Sequence, residues 1–143
     1  MAALSIYLDS SVVVPLFLPD VFAGKAAAFL EAFGAQVVVS DFVAAEFSSV
    51  VAIRLRNRDL TASAARLAFS NFDSWSDLYA ASAKTVAPDV EVAKTFIRRL
   101  DLPLRTPDAI NLAIARRLEL ELATFDKQMA TAARRLGIYV ARL

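Results

Sequence analysis

Residues 4–11 read LSIYLDSS, a short apolar run that stops on Asp9 with two hydroxyls behind it. A strand covered on both faces is continuously apolar, whereas a half-exposed strand alternates. Three further stretches share this character: QVVVSD at 36–41, LELELATFD at 118–126, which begins within a helix end, and GIYVARL at 137–143. Segments with helical spacing lie between them. FAGKAAAFLEAFG (22–34) is Ala-rich and closes on Gly34 as a C-cap, and DFVAAEFSSVVAIRLRNR (41–58) follows the second strand directly. A long helix or helix pair is expected from Thr61 to about Tyr79, and another helix from Pro88 to Leu100. TPDAINLAIARRLEL (106–120) opens with Thr106 as N-cap and Pro107 at the first helical position. Apolar strands alternating with helices specify an α/β fold with a mostly parallel central sheet. Proline and glycine fall at element ends, and no linker or repeat divides the chain, so residues 1–143 are expected to form a single domain.

Composition narrows the chemistry. The chain is 57% apolar, yet no uninterrupted apolar run approaches the roughly 18 residues of a membrane span. With no secretory signal pattern and no cysteine, the expected setting is cytoplasmic, without a membrane. There is also no histidine. The commonest general base, every thiol nucleophile and the usual zinc ligands are therefore absent. Catalysis must rest on carboxylates, hydroxyls, Lys or Arg, and a bound metal must accept oxygen ligands, as Mg²⁺ or Mn²⁺ does.

In an open parallel sheet, ligands bind outside the carboxyl ends of the strands. Asp9 and Asp126 both end apolar runs, so central parallel strands would bring them to one edge. Asp108 stands in the first turn of the helix preceding the Asp126 strand. Glu46 lies about one and a half turns into the helix after the second strand, among Phe42, Val43, Phe47, Val50 and Val51. Each acid also has a plain structural use: Asp9 and Asp126 as N-caps, Asp108 as a complement to its helix dipole. Glu46 fits this reading least, because a carboxylate on an apolar face needs a partner and no Lys or Arg lies three or four residues away. Four acids at one edge repel one another unless a cation neutralises them. A divalent ion does so, and it also makes a nucleophile of its bound water without histidine, which suits phosphodiester hydrolysis.

The charge pattern accommodates a polyanion. Setting the four acids aside leaves 11 acidic against 16 basic residues, an excess of five positive charges. Arg54, Arg56 and Arg58, Arg98, Arg99 and Arg105, and the pairs Arg116–Arg117 and Arg134–Arg135 are candidates for phosphate contacts. Ordinary solvated helix faces are the competing reading. Phe69, Phe72, Trp75 and Tyr79 form a stripe at helical spacing, read as core packing with an interface as the alternative.

With these acids in place the chain resembles the PIN-domain ribonucleases, and among them the bacterial VapC-type toxins of toxin–antitoxin pairs. YLDSSVVVPLF (7–17) is similar to the first family motif with Asp9, and VVSDFVAAEF (38–47) to the second with Glu46. LRTPDAINLAIA (104–115) is similar to the third with Asp108, and LATFDKQMATAARRLGI (122–138) to the fourth with Thr124 and Asp126. The resemblance implies a three-layer α/β/α sandwich around a parallel sheet of about five strands, and Mg²⁺ or Mn²⁺ held by Asp9, Glu46, Asp108 and Asp126 over an RNA backbone. It further implies a homodimer and a small VapB-type antitoxin whose tail blocks the site. Ser10 and Thr124 would add hydroxyl contacts. Many relatives carry histidine where this chain has Asn111, one turn after Asp108; Asn111 can hydrogen-bond water or phosphate but cannot titrate near neutral pH. The expected activity is a metal-dependent endoribonuclease. A non-catalytic RNA- or protein-binding module is the alternative, followed by an Asp-based phosphotransfer domain such as a receiver or a haloacid-dehalogenase-like phosphatase, although Ser10 and Ser11 stand where the D-x-D of such phosphatases would continue.

Overall fold

Ile6, Tyr7 and Leu8 are fully buried, as a strand covered on both faces requires. They form β1 (Ile6–Leu8) in a computed structural model that describes residues 5–34 and 36–143. Leu4, where the apolar run was expected to begin, lies outside the described residues. The chain continues as α1 (Ser10–Phe17), α2 (Ala23–Ala32), β2 (Val37–Ser40), α3 (Asp41–Arg56), α4 (Ala62–Tyr79), β3 (Ala80–Ala83), α5 (Ala87–Arg98), α6 (Thr106–Arg117), β4 (Glu121–Ala123) and α7 (Lys127–Arg135). The strands pair in parallel in the order β3-β2-β1-β4. This is the expected α/β architecture, with β1 and β2 buried on both faces beneath helices.

The sheet departs from expectation at its two edges. The stretch 137–143 contributes only one parallel bridge, Val140 to Leu122, fixed by hydrogen bonds on either side of Leu122. The other edge strand, β3, has the sequence AASA, without the β-branched residues that mark strands. It forms because α4 delivers it against β2 in full register, from Val37 opposite Ala80 to Ser40 opposite Ala83.

Helix ends also shift. α2 stops at Ala32 with an extended cap at Phe33, so Gly34 does not serve as a left-handed C-cap. That role falls to Gly137, whose φ of 80° lets the chain leave α7. α6 begins one residue earlier than expected, with Arg105 as N-cap, Thr106 and Pro107 in the first turn, and Asp108 reaching back to the Arg105 N–H at 3.4 Å. Pro15 lies inside α1 rather than at an end; α1 runs only two residues beyond it, and its ring is buried in the core. No helix among the described residues is long and apolar enough to cross a membrane.

Aromatic side chains lock α1, α3 and α4 together. Phe17 meets Phe47 and Phe72 edge-on with ring centroids 5.7 Å apart, and Phe47 stacks on Phe72 at 4.6 Å. Phe72 is buried, and Phe69 and Trp75 pack against the core, as the helical spacing implied; Tyr79 remains exposed. On the opposite side α5 is tied to α6 by Asp89, which is 1% exposed and receives Arg117 through two bonds of 2.8 and 3.0 Å. Removing one partner of a buried pair leaves an uncompensated charge. Arg117→Met is therefore expected to cost about 3 kcal/mol in urea unfolding, and a loss below about 0.5 kcal/mol would show that Asp89 does not depend on it.

Candidate active site

β1 and β4 end side by side, with the Asp9 N–H donating to the Ala123 carbonyl at 3.0 Å. Asp9 is the N-cap of α1, so its carboxylate turns toward the first helical turn. Oδ2 accepts from the Ser11 N–H at 3.4 Å, the Ser11 hydroxyl at 2.7 Å and the Thr124 hydroxyl at 2.8 Å. Oδ1 has no partner among the described residues, and it is not among their buried unsatisfied atoms, so it keeps contact with solvent. Burial pushes the Asp9 pKa up, against the hydrogen bonds from Ser11 and Thr124.

Thr124 joins this knot to the fourth acid. Its hydroxyl accepts the Asp126 N–H at 3.0 Å, while the Ser11 hydroxyl accepts the Phe125 N–H at 2.9 Å. Asp126 caps α7 by accepting from the Met129 N–H at 3.1 Å. The supporting hydroxyls are thus Ser11 and Thr124. Ser10, expected to offer its hydroxyl, makes no hydroxyl bond to Asp9 among the described residues, because an N-cap side chain bonds to the N–H two or three residues on and draws Ser11 back over itself.

Glu46 reaches the same edge from α3. It bonds Asn111, whose Nδ2 donates to Glu46 Oε1 at 2.7 Å and to the Pro107 carbonyl at 3.1 Å. Asn111 is fully buried and its Oδ1 accepts from the Tyr7 hydroxyl at 2.6 Å. The Tyr7 proton is committed there, so the hydroxyl of Ser40, 2.7 Å away, donates to Tyr7 and itself accepts the Val43 N–H at 3.0 Å. One ordered chain therefore runs from the N-terminus of α3 through Ser40, Tyr7 and Asn111 to Glu46. Burial holds the Tyr7 pKa far above its ordinary value and keeps the phenol a donor. Burial, opposed by the Asn111 bond and reinforced by the charges of Asp9 and Asp108, pushes Glu46 up to about 7.

Glu46 is thus close enough to feel both Asp9 and Asp108, and Asp126 is tied to Asp9 through Thr124. The acids do not form a ready-made cage. Among the described residues no three such side chains stand at metal-ligand spacing, since Asp9 Oδ2, Asp108 and Asp126 are engaged in capping bonds. The donor set is all oxygen, which fits an ion that is held through one or two carboxylates and keeps its waters, as Mg²⁺ is.

The PIN-domain family model matches residues 6–135. The chain belongs to the PIN-domain family. No curated protein matches it. Among solved structures this PIN domain is similar to VapC20 from Mycobacterium tuberculosis, described as a sarcin–ricin loop cleaving toxin, at 22% identity and a TM-score of 0.75 over 96% of this chain and 99% of that one. It is similar to FitAcB from Neisseria gonorrhoeae at 20% identity and 0.72, over 96% of both chains. A toxin–antitoxin complex from Klebsiella pneumoniae matches at 22% identity and 0.58, over 87% of this chain and 89% of that one. At these identities the likeness is one of fold.

Sequence reasoning missed Tyr7, Ser11 and Ser40. Tyr7 lies two residues before Asp9 in β1, on its face, and Ser40 ends β2 as Asp9 ends β1, so both signals were present. Four of the candidate arginines are engaged within the chain: Arg54 bonds the Pro19 carbonyl at 2.7 Å, Arg99 and Arg135 meet Asp101 at 2.9 and 3.0 Å, and Arg117 meets Asp89.

Two outcomes follow from this geometry. Tyr7→Phe strips Asn111 and Ser40 of a buried partner and is expected to cost about 1–3 kcal/mol of unfolding free energy, measured in urea; a neutral effect would mean the chain is not held by this hydroxyl. The folded protein retains the Glu46 proton between about pH 4.5 and 7, where the unfolded chain has released it, so rising pH through that window costs stability. In metal-free buffer, Glu46→Gln should raise the Tm relative to the parent at pH 8, with the gain shrinking toward zero at pH 4.5. A pH-independent difference would place Glu46 at its ordinary pKa.

Proposed function

We propose that this PIN domain is a Mg²⁺- or Mn²⁺-dependent endoribonuclease that acts as the toxin of a toxin–antitoxin pair. The observation that carries the reading is the convergence of Asp9, Glu46, Asp108 and Asp126 at one sheet edge in a chain without histidine or cysteine. Asp9 would hold the cation through Oδ1, with Glu46, Asp108 and Asp126 as direct or water-mediated ligands. When bound, the cation supplies an acidified water and neutralises charge on the phosphate. The chain's own groups do the positioning. Ser11 and Thr124 fix the Asp9 carboxylate, and Asn111 holds Oε1 of Glu46. Without the cation, burial raises the Glu46 pKa to about 7; a bound cation would favour its ionised, ligating form.

The partners follow from the same reading: RNA as substrate, a small VapB-type antitoxin, and a second copy of the chain in a cytoplasmic setting. Support for an antitoxin comes from the fold likeness to a toxin–antitoxin complex. Support for an interface comes from the apolar surface that α4 leaves exposed at Leu67, Leu78 and Tyr79. The second reading, a non-catalytic RNA- or protein-binding module, is favoured by the lack of three acids at ligand spacing among the described residues.

Incubating total cellular RNA with the purified chain in Mg²⁺ or Mn²⁺, in EDTA, and with Asp9→Asn alongside separates the two. Discrete fragments are expected only with the ion and with Asp9, the variant losing roughly 100-fold or more in rate. Intact RNA in every lane, from folded protein shown to bind it, supports the binding module instead.

A further inference from the structure

A groove of about 500 Å³ opens beside Asp126, between the start of α2, one side of α7 and residues 140–143. Two features set it apart. Phe22 and Phe125 stack almost parallel along it, with rings 4.5 Å apart and 8° from coplanar. Lys25, Lys127, Arg134 and Arg142 surround them, all exposed. None of the four meets a carboxylate among the described residues, in contrast to Arg54, Arg99, Arg105, Arg117 and Arg135. Among the described residues that line the groove, Asp126 has the single acidic side chain.

The aromatic pair is built in place. The Phe22 N–H is held by Asp20 at 2.9 Å, and Asp20 is in turn 3.5 Å from Arg54, which also grips the Pro19 carbonyl. Phe125 stands between Thr124 and Asp126, and its N–H is held by the hydroxyl that also bonds Asp9. Phe22 is 36% exposed, so an aromatic surface remains open after the two rings have stacked. A flat apolar face ringed by unneutralised cations matches an unpaired nucleotide: a base has a π-face to lay on the ring, and its phosphates meet the charges.

We propose that this groove binds single-stranded RNA next to the cleavage position, with a base stacked on Phe22 and adjacent phosphates held by Lys25, Lys127, Arg134 and Arg142. The inference rests on the nuclease reading and deepens it. Unpaired rather than duplex RNA is the substrate, because a paired base cannot turn its face to the ring. A duplex would meet only the cations.

Binding and cleavage are measured separately. Fluorescence anisotropy with a labelled mixed-sequence 12-nucleotide RNA, in EDTA so that nothing is cut, is run across a salt series. Parent, Phe22→Ala, Phe22→Trp and the double variant Lys25→Glu/Arg134→Glu are compared, each checked for folding by thermal unfolding. Phe22→Ala should weaken binding by about 10-fold with little change in salt dependence, and Phe22→Trp should restore it. The charge reversal should weaken binding at low salt by about 10-fold or more and flatten the salt slope by at least about 1.4, the share of two phosphate contacts. An unlabelled duplex should compete at least about 10-fold less well than the single strand. Equal affinity for all four proteins, equal competition by duplex, or no binding by the parent at low salt would overturn the proposal, and equal affinity would leave the groove to a protein partner. Cleavage in Mg²⁺ is read on the parent alone. Cleavage with unaltered binding among the variants defeats this groove but not the nuclease, and weakened binding without cleavage defeats the nuclease but not the groove.

Discussion

The bond from Thr124 to Asp9 is the constraint on which the rest of this edge depends. It joins the ends of two neighbouring parallel strands through side chains, at the point where each strand gives way to a helix. Asp9 and Asp126 are N-caps, so each acid is aimed by the helix it starts. Capping and site-building are therefore one act. Ser11 extends the same knot to the backbone of Phe125, which carries the order of the Asp9 carboxylate into the wall of the adjoining groove.

A second set of bonds holds Glu46 through neutral groups, with Arg105 the positive charge that acts on it from further off. Tyr7, Ser40 and Asn111 form a buried polar chain with every proton assigned a direction, and it ends on the Glu46 carboxylate. Neutral donors orient an acid while leaving its pKa high, whereas an arginine would orient it and drive the pKa down. Asn111 supplies the first of these, and the absence of a basic residue at helical spacing from Glu46 removes the second.

Most of the architecture was legible because its signals are local. The apolar runs ending in Asp9 and Ser40 mark β1 and β2, and the long α3 and α4 follow from their spacing and starts. β3 was not legible, since four residues of alanine and serine become a strand only when the end of α4 lays them against β2. The four acids could be placed on one edge by topology alone. Their hydrogen-bond partners could not: which of two adjacent serines turns back to Asp9 is decided by cap geometry, and Tyr7 meets Asn111 across 104 residues of chain. Nor could the arginines be sorted, as charge runs show where cations are abundant and not which of them carboxylates already claim.

Three hydrogen bonds fill Oδ2 of Asp9 and none reaches Oδ1 from the described residues. Such a group offers a cation one arm. Calcium takes carboxylates by one oxygen or both and gathers six to eight donors, so a one-armed ligand would leave it more of them to find. A smaller ion that accepts a single oxygen and dehydrates reluctantly loses nothing. The serine and threonine around Asp9 thus do more than hold it still: by occupying one oxygen, they would leave the other as the single arm open to a cation.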